Sequence, residues 1–75
     1  MFIQFKDVGR DNYNGKVKIP DNLTPDEIAE RAYRHIAKSN VLLSRSIDTE
    51  YNAITNEGSV VAGFRTVGGF SVVND

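Results

Sequence analysis

The chain has 75 residues, of which 40% are hydrophobic and 25% charged; nine basic side chains face ten acidic ones, for a net charge of −1. That is the composition of one small folded domain with a thin core, spanning residues 1–75. The charge balance argues against a charge-driven nucleic-acid binder and against an acidic DNA mimic, and the absence of cysteine excludes disulfides and thiol chemistry.

No apolar stretch approaches the ~20 residues of a membrane span, and Met1-Phe2-Ile3-Gln4-Phe5-Lys6 lacks the basic start and long apolar middle of a signal peptide. The expected location is therefore the cytoplasm. From the N-terminus, Met1, Ile3 and Phe5 alternate with Phe2, Gln4 and Lys6, which predicts a strand over residues 1–8 with one buried face. Gly9 to Asn14 is dense in turn formers. Gly15 to Ile19 alternates again, with Val17 and Ile19 inward and Lys16 and Lys18 outward, so the two segments predict a hairpin. Pro20 closes it, because it cannot donate to a ladder.

A helix is predicted from Pro25 to Lys38. Thr24 and Glu27 have capping-box spacing, Pro25 stands at the first helical position, and Leu23 and Ile28 flank the cap as a hydrophobic staple. Ile28, Ala29, Ala32, Tyr33 and Ile36 form an inward stripe. Glu27/Arg31 and Glu30/Arg34 are i,i+4 pairs, and Ser39-Asn40 is a stop signal.

Beyond the helix the period becomes two. Val41 to Ile47 reads as a strand, Asp48-Thr49-Glu50 as a turn or bulge, and Tyr51 to Thr55 as a weaker strand. Asn56-Glu57-Gly58 is a turn signal. Ser59 to Arg65 and Phe70 to Val73 predict a second hairpin across Thr66-Val67-Gly68-Gly69. The expected fold is α+β: a small, mainly antiparallel sheet in β-β-α-β-β-β order, or one strand fewer, with one helix packed on one face. This order and length resemble a β-grasp, the ubiquitin-like architecture, which implies a last strand returning parallel to the first. The chain lacks that family's C-terminal Gly-Gly, and its last segment reads as a plain hairpin.

A single helix ~20 Å long and ~10 Å wide covers two or three strands on one face of such a sheet. Turning Val60, Ala62, Phe64, Phe70 and Val72 toward the helix leaves Phe2, Val61 and Val73 on the open side. Runs apolar on both faces are typical of strands covered twice, which points to an interface there or at the edge of the last hairpin.

Motifs for chemistry are weak. His35 is the only imidazole, and no nucleophile or orienting partner pairs with it by sequence. Asp48, Glu50 and His35 match no metal-ligand spacing. Gly58 to Gly63 has the first spacing of a P-loop but is followed by Phe64-Arg65 instead of Lys-Ser/Thr. Asn22-Leu23-Thr24 matches a glycosylation triplet, but Thr24 is better used as a cap. No catalytic, cofactor or metal residues are assigned.

The expected function is non-enzymatic protein binding, as a small inhibitor or adaptor occluding a partner's surface. Short cytosolic chains of bacteria and their viruses, anti-CRISPR and other anti-defence proteins among them, provide the class association. The expected contacts are Arg10, Tyr13, Lys16 and Lys18 of the first hairpin and Val61, Phe64, Arg65 and Phe70 of the last. The expected partner is another protein, such as a host protein or nucleoprotein complex, or a second copy. The alternatives are a nucleic-acid binder using the lysine face beside Tyr13 and a self-assembling subunit. Lysines on such a hairpin also serve simply to keep a sheet edge soluble.

Overall fold

The computed structural model describes residues 1–9, 11–39 and 46–74. Arg10 and most of the strand expected over Val41–Ile47 lie outside the described residues. Strand β1 spans Phe2–Lys6, β2 Lys16–Lys18, α1 Pro25–Lys38, β3 Ile47–Asn52, β4 Glu57–Ala62 and β5 Arg65–Val73. The fold is α+β, with the helix on one face of a five-stranded sheet in the order β2-β1-β5-β4-β3. Every neighbouring pair is antiparallel. The central β1–β5 pair therefore differs from the parallel return that a β-grasp implies.

The helix forms as its local signals dictate. The Thr24 hydroxyl accepts from the Glu27 N–H at 3.2 Å, and the Glu27 carboxylate accepts from the Thr24 N–H at 3.1 Å. These bonds use amide donors that the first turn would otherwise leave unpaired. They hold the Glu27 carboxyl below its ordinary pKa, the Thr24 backbone N–H contributing most and Arg31 least. Ile28, Ala32 and Ile36 are buried, whereas Tyr33, expected in the same stripe, is 42% exposed at its border. Arg34 pairs with Glu30 at 2.9 Å on the solvent side.

The core joins these three helix residues to Ile3, Phe5, Val8, Ile19, Val60 and Phe70. On the helix face, Tyr51, Gly58 and Phe70 lie opposite one another across β3, β4 and β5. The Tyr51 and Phe70 rings stack over Gly58, 6.0 Å apart. A Cβ at Gly58 would lie 2.1 Å from Phe70 Cζ and 2.5 Å from the Glu50 carbonyl oxygen. Glycine here lets two aromatic rings close over the strand between them. The Thr49 hydroxyl donates to the Ala29 carbonyl at 2.6 Å and ties β3 to α1.

The second half departs from expectation in three ways. Asp48, Thr49 and Glu50 belong to β3, in continuous register with Val61, Val60 and Ser59, and the chain turns at 53–56 instead. The last hairpin turns at Gly63-Phe64, not at Thr66–Gly69. Gly63 alone in that turn has positive φ (66°), the pattern of a II′ turn, whose twist suits a hairpin. Gly68 is spent inside β5, where a Cβ would lie 2.6 Å from the Val8 Cα, so the first loop packs directly on the strand. Finally, a bulge at Val67 lets both Val67 and Gly68 oppose Val60.

Candidate protein-binding surface

β1 and β4 are both antiparallel to β5 and therefore run the same way. The loop after β1 and the turn after β4 consequently share one end of the sheet. The structure thus gathers the two predicted contact regions, the first hairpin loop and the last hairpin turn, at that end. The loop is built from left-handed residues at Asp7, Gly9 and Asn12, closed by a Val8–Tyr13 bridge. It is pinned to β5, where the Gly9 N–H donates to the Val67 carbonyl at 2.9 Å.

Tyr13 faces inward. Its hydroxyl and His35 Nε2 share a hydrogen bond of 2.7 Å, and the His35 ring stacks on Phe5 with centroids 5.2 Å apart. Burial pushes the imidazole below its usual pKa and favours the neutral ring. The pair fastens the first loop to the C-terminal half of α1, so half-buried Tyr13 offers only part of its ring to a partner. Gly15 lies under that ring; a Cβ there would meet the hydroxyl oxygen at 1.8 Å.

Phe64 is the opposite case. Expected to turn toward the helix, it stands at the tip of the II′ turn, 106% exposed, with exposed Arg65 beside it. Side-chain direction alternates along a strand, but a turn residue is released from that rule. Phe70 is the reverse: it is 3% exposed, stacks on Tyr51 and meets Phe5 at a tilt in the core, so it presents no contact surface.

The face of the sheet away from the helix carries Phe2 and Val73 as a directly paired couple at one end and Val61 opposite Thr66 near the other. All three apolar residues are half-buried. Gln4, Ser71, Ser59, Gly69, Glu50 and Glu57 lie between. This face is polar across its middle, contrary to the apolar cover expected from the sequence. Alternation is set by register, and the bulge turns Val67 inward. Lys16 and Lys18 are exposed on β2, and Lys16 Nζ lies 4.6 Å from the centre of the Phe2 ring.

His35 lies on the helix side of the sheet, whereas Asp48 and Glu50 project from the other side, so the three do not converge. Among the described residues no group of three or more His, Cys, Asp or Glu is placed to hold a metal ion, and no helix is long and apolar enough to cross a membrane.

Two features were missed by sequence. Ile54, 92% exposed, sits in the β3–β4 turn at the far end, its N–H donating to Asn52 Oδ1 at 2.9 Å. Beside it a cleft of about 310 Å³ opens among Leu23, Pro25, Ile28, Tyr51, Asn56 and Val72. The signal for Ile54 was present, an isolated aliphatic among turn formers; the cleft joins segments distant in sequence and had none. Comparison with protein-family models, curated proteins and solved structures finds no match to this chain.

Proposed function

We propose that the chain is a non-enzymatic protein-binding module, an inhibitor or adaptor that occludes a partner through its hairpin end. One observation carries this reading: Phe64 is wholly exposed at the apex of a tight turn that needs only its neighbouring glycine. Burying a phenylalanine side chain in a partner's pocket would contribute about 1.5–3 kcal/mol. Aromatic and arginine side chains dominate such anchors, and Arg65 follows directly. The first loop, pinned to β5 and to α1, supplies rigid ground beside the anchor.

Affinity capture from a lysate of the native cell, with the chain and its Phe64→Ser variant as baits, tests the reading. A protein retained by the former and lost with the latter supports it. Identical capture by both baits, with both folded, places binding elsewhere. The Lys16 and Phe2 contact supports a second reading, single-stranded nucleic acid on the lysine side, which requires affinity that falls steeply with salt.

A further inference from the structure

The sheet order separates charge in a way that the net charge of −1 conceals. On the open face, Lys16 and Lys18 stand on β2 at one edge, with Lys6 on neighbouring β1. Asp48 and Glu50 stand on β3 at the other edge, with Glu57 on neighbouring β4. Register places all six on the same side: Lys16 is level with Gln4, Ser71, Glu57 and Asn52, and Lys6 with Gly69, Ser59 and Glu50. All six are exposed. The face therefore has a cationic half and an anionic half, divided by β5.

We propose that this face binds a second copy of the chain, related by a two-fold axis running along β5. This inference goes beyond the hairpin-end reading and is independent of it. Charge selects the axis. An axis normal to the sheet would join edges, β2 to β2 or β3 to β3, and set like charges together. The β3 edge is further blunted, because Asp48 Oδ1 accepts from the Thr49 N–H at 2.8 Å. An axis in the plane but across the strands would lay β2 over β2 and β3 over β3. Only the axis along β5 lays the cationic half of each copy over the anionic half of the other.

The same axis brings the two Val73 side chains together at the centre line, each flanked by Phe2 of the other copy. The dimer interface thus gains a small apolar patch at one end of the centre line, from the only directly paired apolar couple among the described residues of the face. Lys16 of one copy falls among the second copy's Asn52, Glu57 and Glu50, and Lys6 falls beside its Glu50. Five strands at ~4.8 Å and six residues at ~3.3 Å give a footprint of roughly 480 Å² per copy. Twice that lies near the lower limit for specific complexes, so a weak, reversible dimer is expected.

Sedimentation velocity on the full chain over a concentration series, at about 0.05 M and about 0.5 M salt, is the test. The expected result is a dimer at low salt whose dissociation constant rises about tenfold or more at high salt. A chain that stays monomeric to about 1 mM at low salt, with a heterologous protein as its only partner, overturns the proposal. The variants Lys6→Glu/Lys16→Glu and Glu50→Lys/Glu57→Lys should each be monomeric, and their equimolar mixture should dimerise. Circular dichroism checks that both are folded. Asp26→Lys/Glu30→Lys makes the same charge change on the helix; with its open face intact it should dimerise with itself, but it should leave Lys6→Glu/Lys16→Glu monomeric when the two are mixed. Recruitment of Lys6→Glu/Lys16→Glu into dimers in that control as fully as in the charge-swap mixture, or a folded charge-swap mixture that remains monomeric, would refute the arrangement.

Discussion

Replacing Gly58 with alanine adds one methyl group at the point where the sheet has no room for it. The new Cβ would stand 2.1 Å from Phe70 Cζ and 2.5 Å from the Glu50 carbonyl oxygen, against ordinary contact at 3.4 Å or more. The Phe70 ring is confined between Phe5 and Tyr51, and the Glu50 carbonyl belongs to a paired strand. Neither can yield by an ångström without loosening the core or parting β3 from β4. Overpacking of this kind costs about 1–3 kcal/mol. A domain of this size has roughly 4–11 kcal/mol in total, and each kcal/mol shifts its Tm by about 4–8 °C. Gly58→Ala should therefore lower Tm by about 4–24 °C in a calorimetric or circular-dichroism melt. Phe70→Leu is destabilising alone, but combined with Gly58→Ala the loss should be smaller than the sum of the two, because the methyl group then has space. An unchanged or raised Tm for Gly58→Ala would show that the rings do not close over this strand.

Thr24→Ala should remove about 1 kcal/mol of stability in a denaturant titration. It should also flatten the acid limb of the pH profile: the lowered Glu27 pKa contributes stability that is present above its unfolded value of 4.5 and is lost as pH falls through the folded value. His35 acts in the same sense at higher pH. Its folded pKa lies below the unfolded 6.5, so the unfolded chain takes up the proton first, and Tm should decline as pH falls below about 6.5 until the folded ring is also charged. His35→Gln should remove that slope, and Tyr13→Phe should cost about 1 kcal/mol through loss of the shared hydrogen bond. Phe64→Ser should leave stability within about 0.5 kcal/mol of the parent, since the side chain touches no core, and a larger loss in a thermal melt would reassign it as structural.

The helix was legible because its signals are local: Thr24, Pro25 and Glu27 sit within one turn and bond to one another. The last hairpin was not, because Gly68-Gly69 and Gly63-Phe64 offer competing turns. The choice is made by Val8, whose backbone needs the space above Gly68, a contact between residues far apart in sequence. The same distance hid Phe70. Alternation from Phe64 assigns both aromatics one environment, yet one lies on a turn and the other beyond a bulge. The lysine side of β2 was readable from alternation. Its acidic counterpart was not, since Asp48 and Glu50 become a strand edge only once β3 is placed at the far side of the sheet.

The two surfaces are linked by the direction of the axis. A two-fold along β5 exchanges the left and right of the sheet but keeps its ends, so both copies would carry their Phe64 turns at the same end. Stacked sheets lie ~10 Å apart, and the turn joins β5 to its neighbour β4. The two phenylalanines would therefore sit side by side as one apolar tip with two arginines, not as distant twin sites. A tip of that kind suits a single pocket or a two-fold axis on the partner, and occupancy of one phenylalanine would set the other at high effective concentration. A weak dimer would then matter most when the partner is bound, because the second contact stabilises both the partner complex and the face-to-face pair. Reversal of the charges on one half of the face would weaken partner binding without altering any residue of the tip.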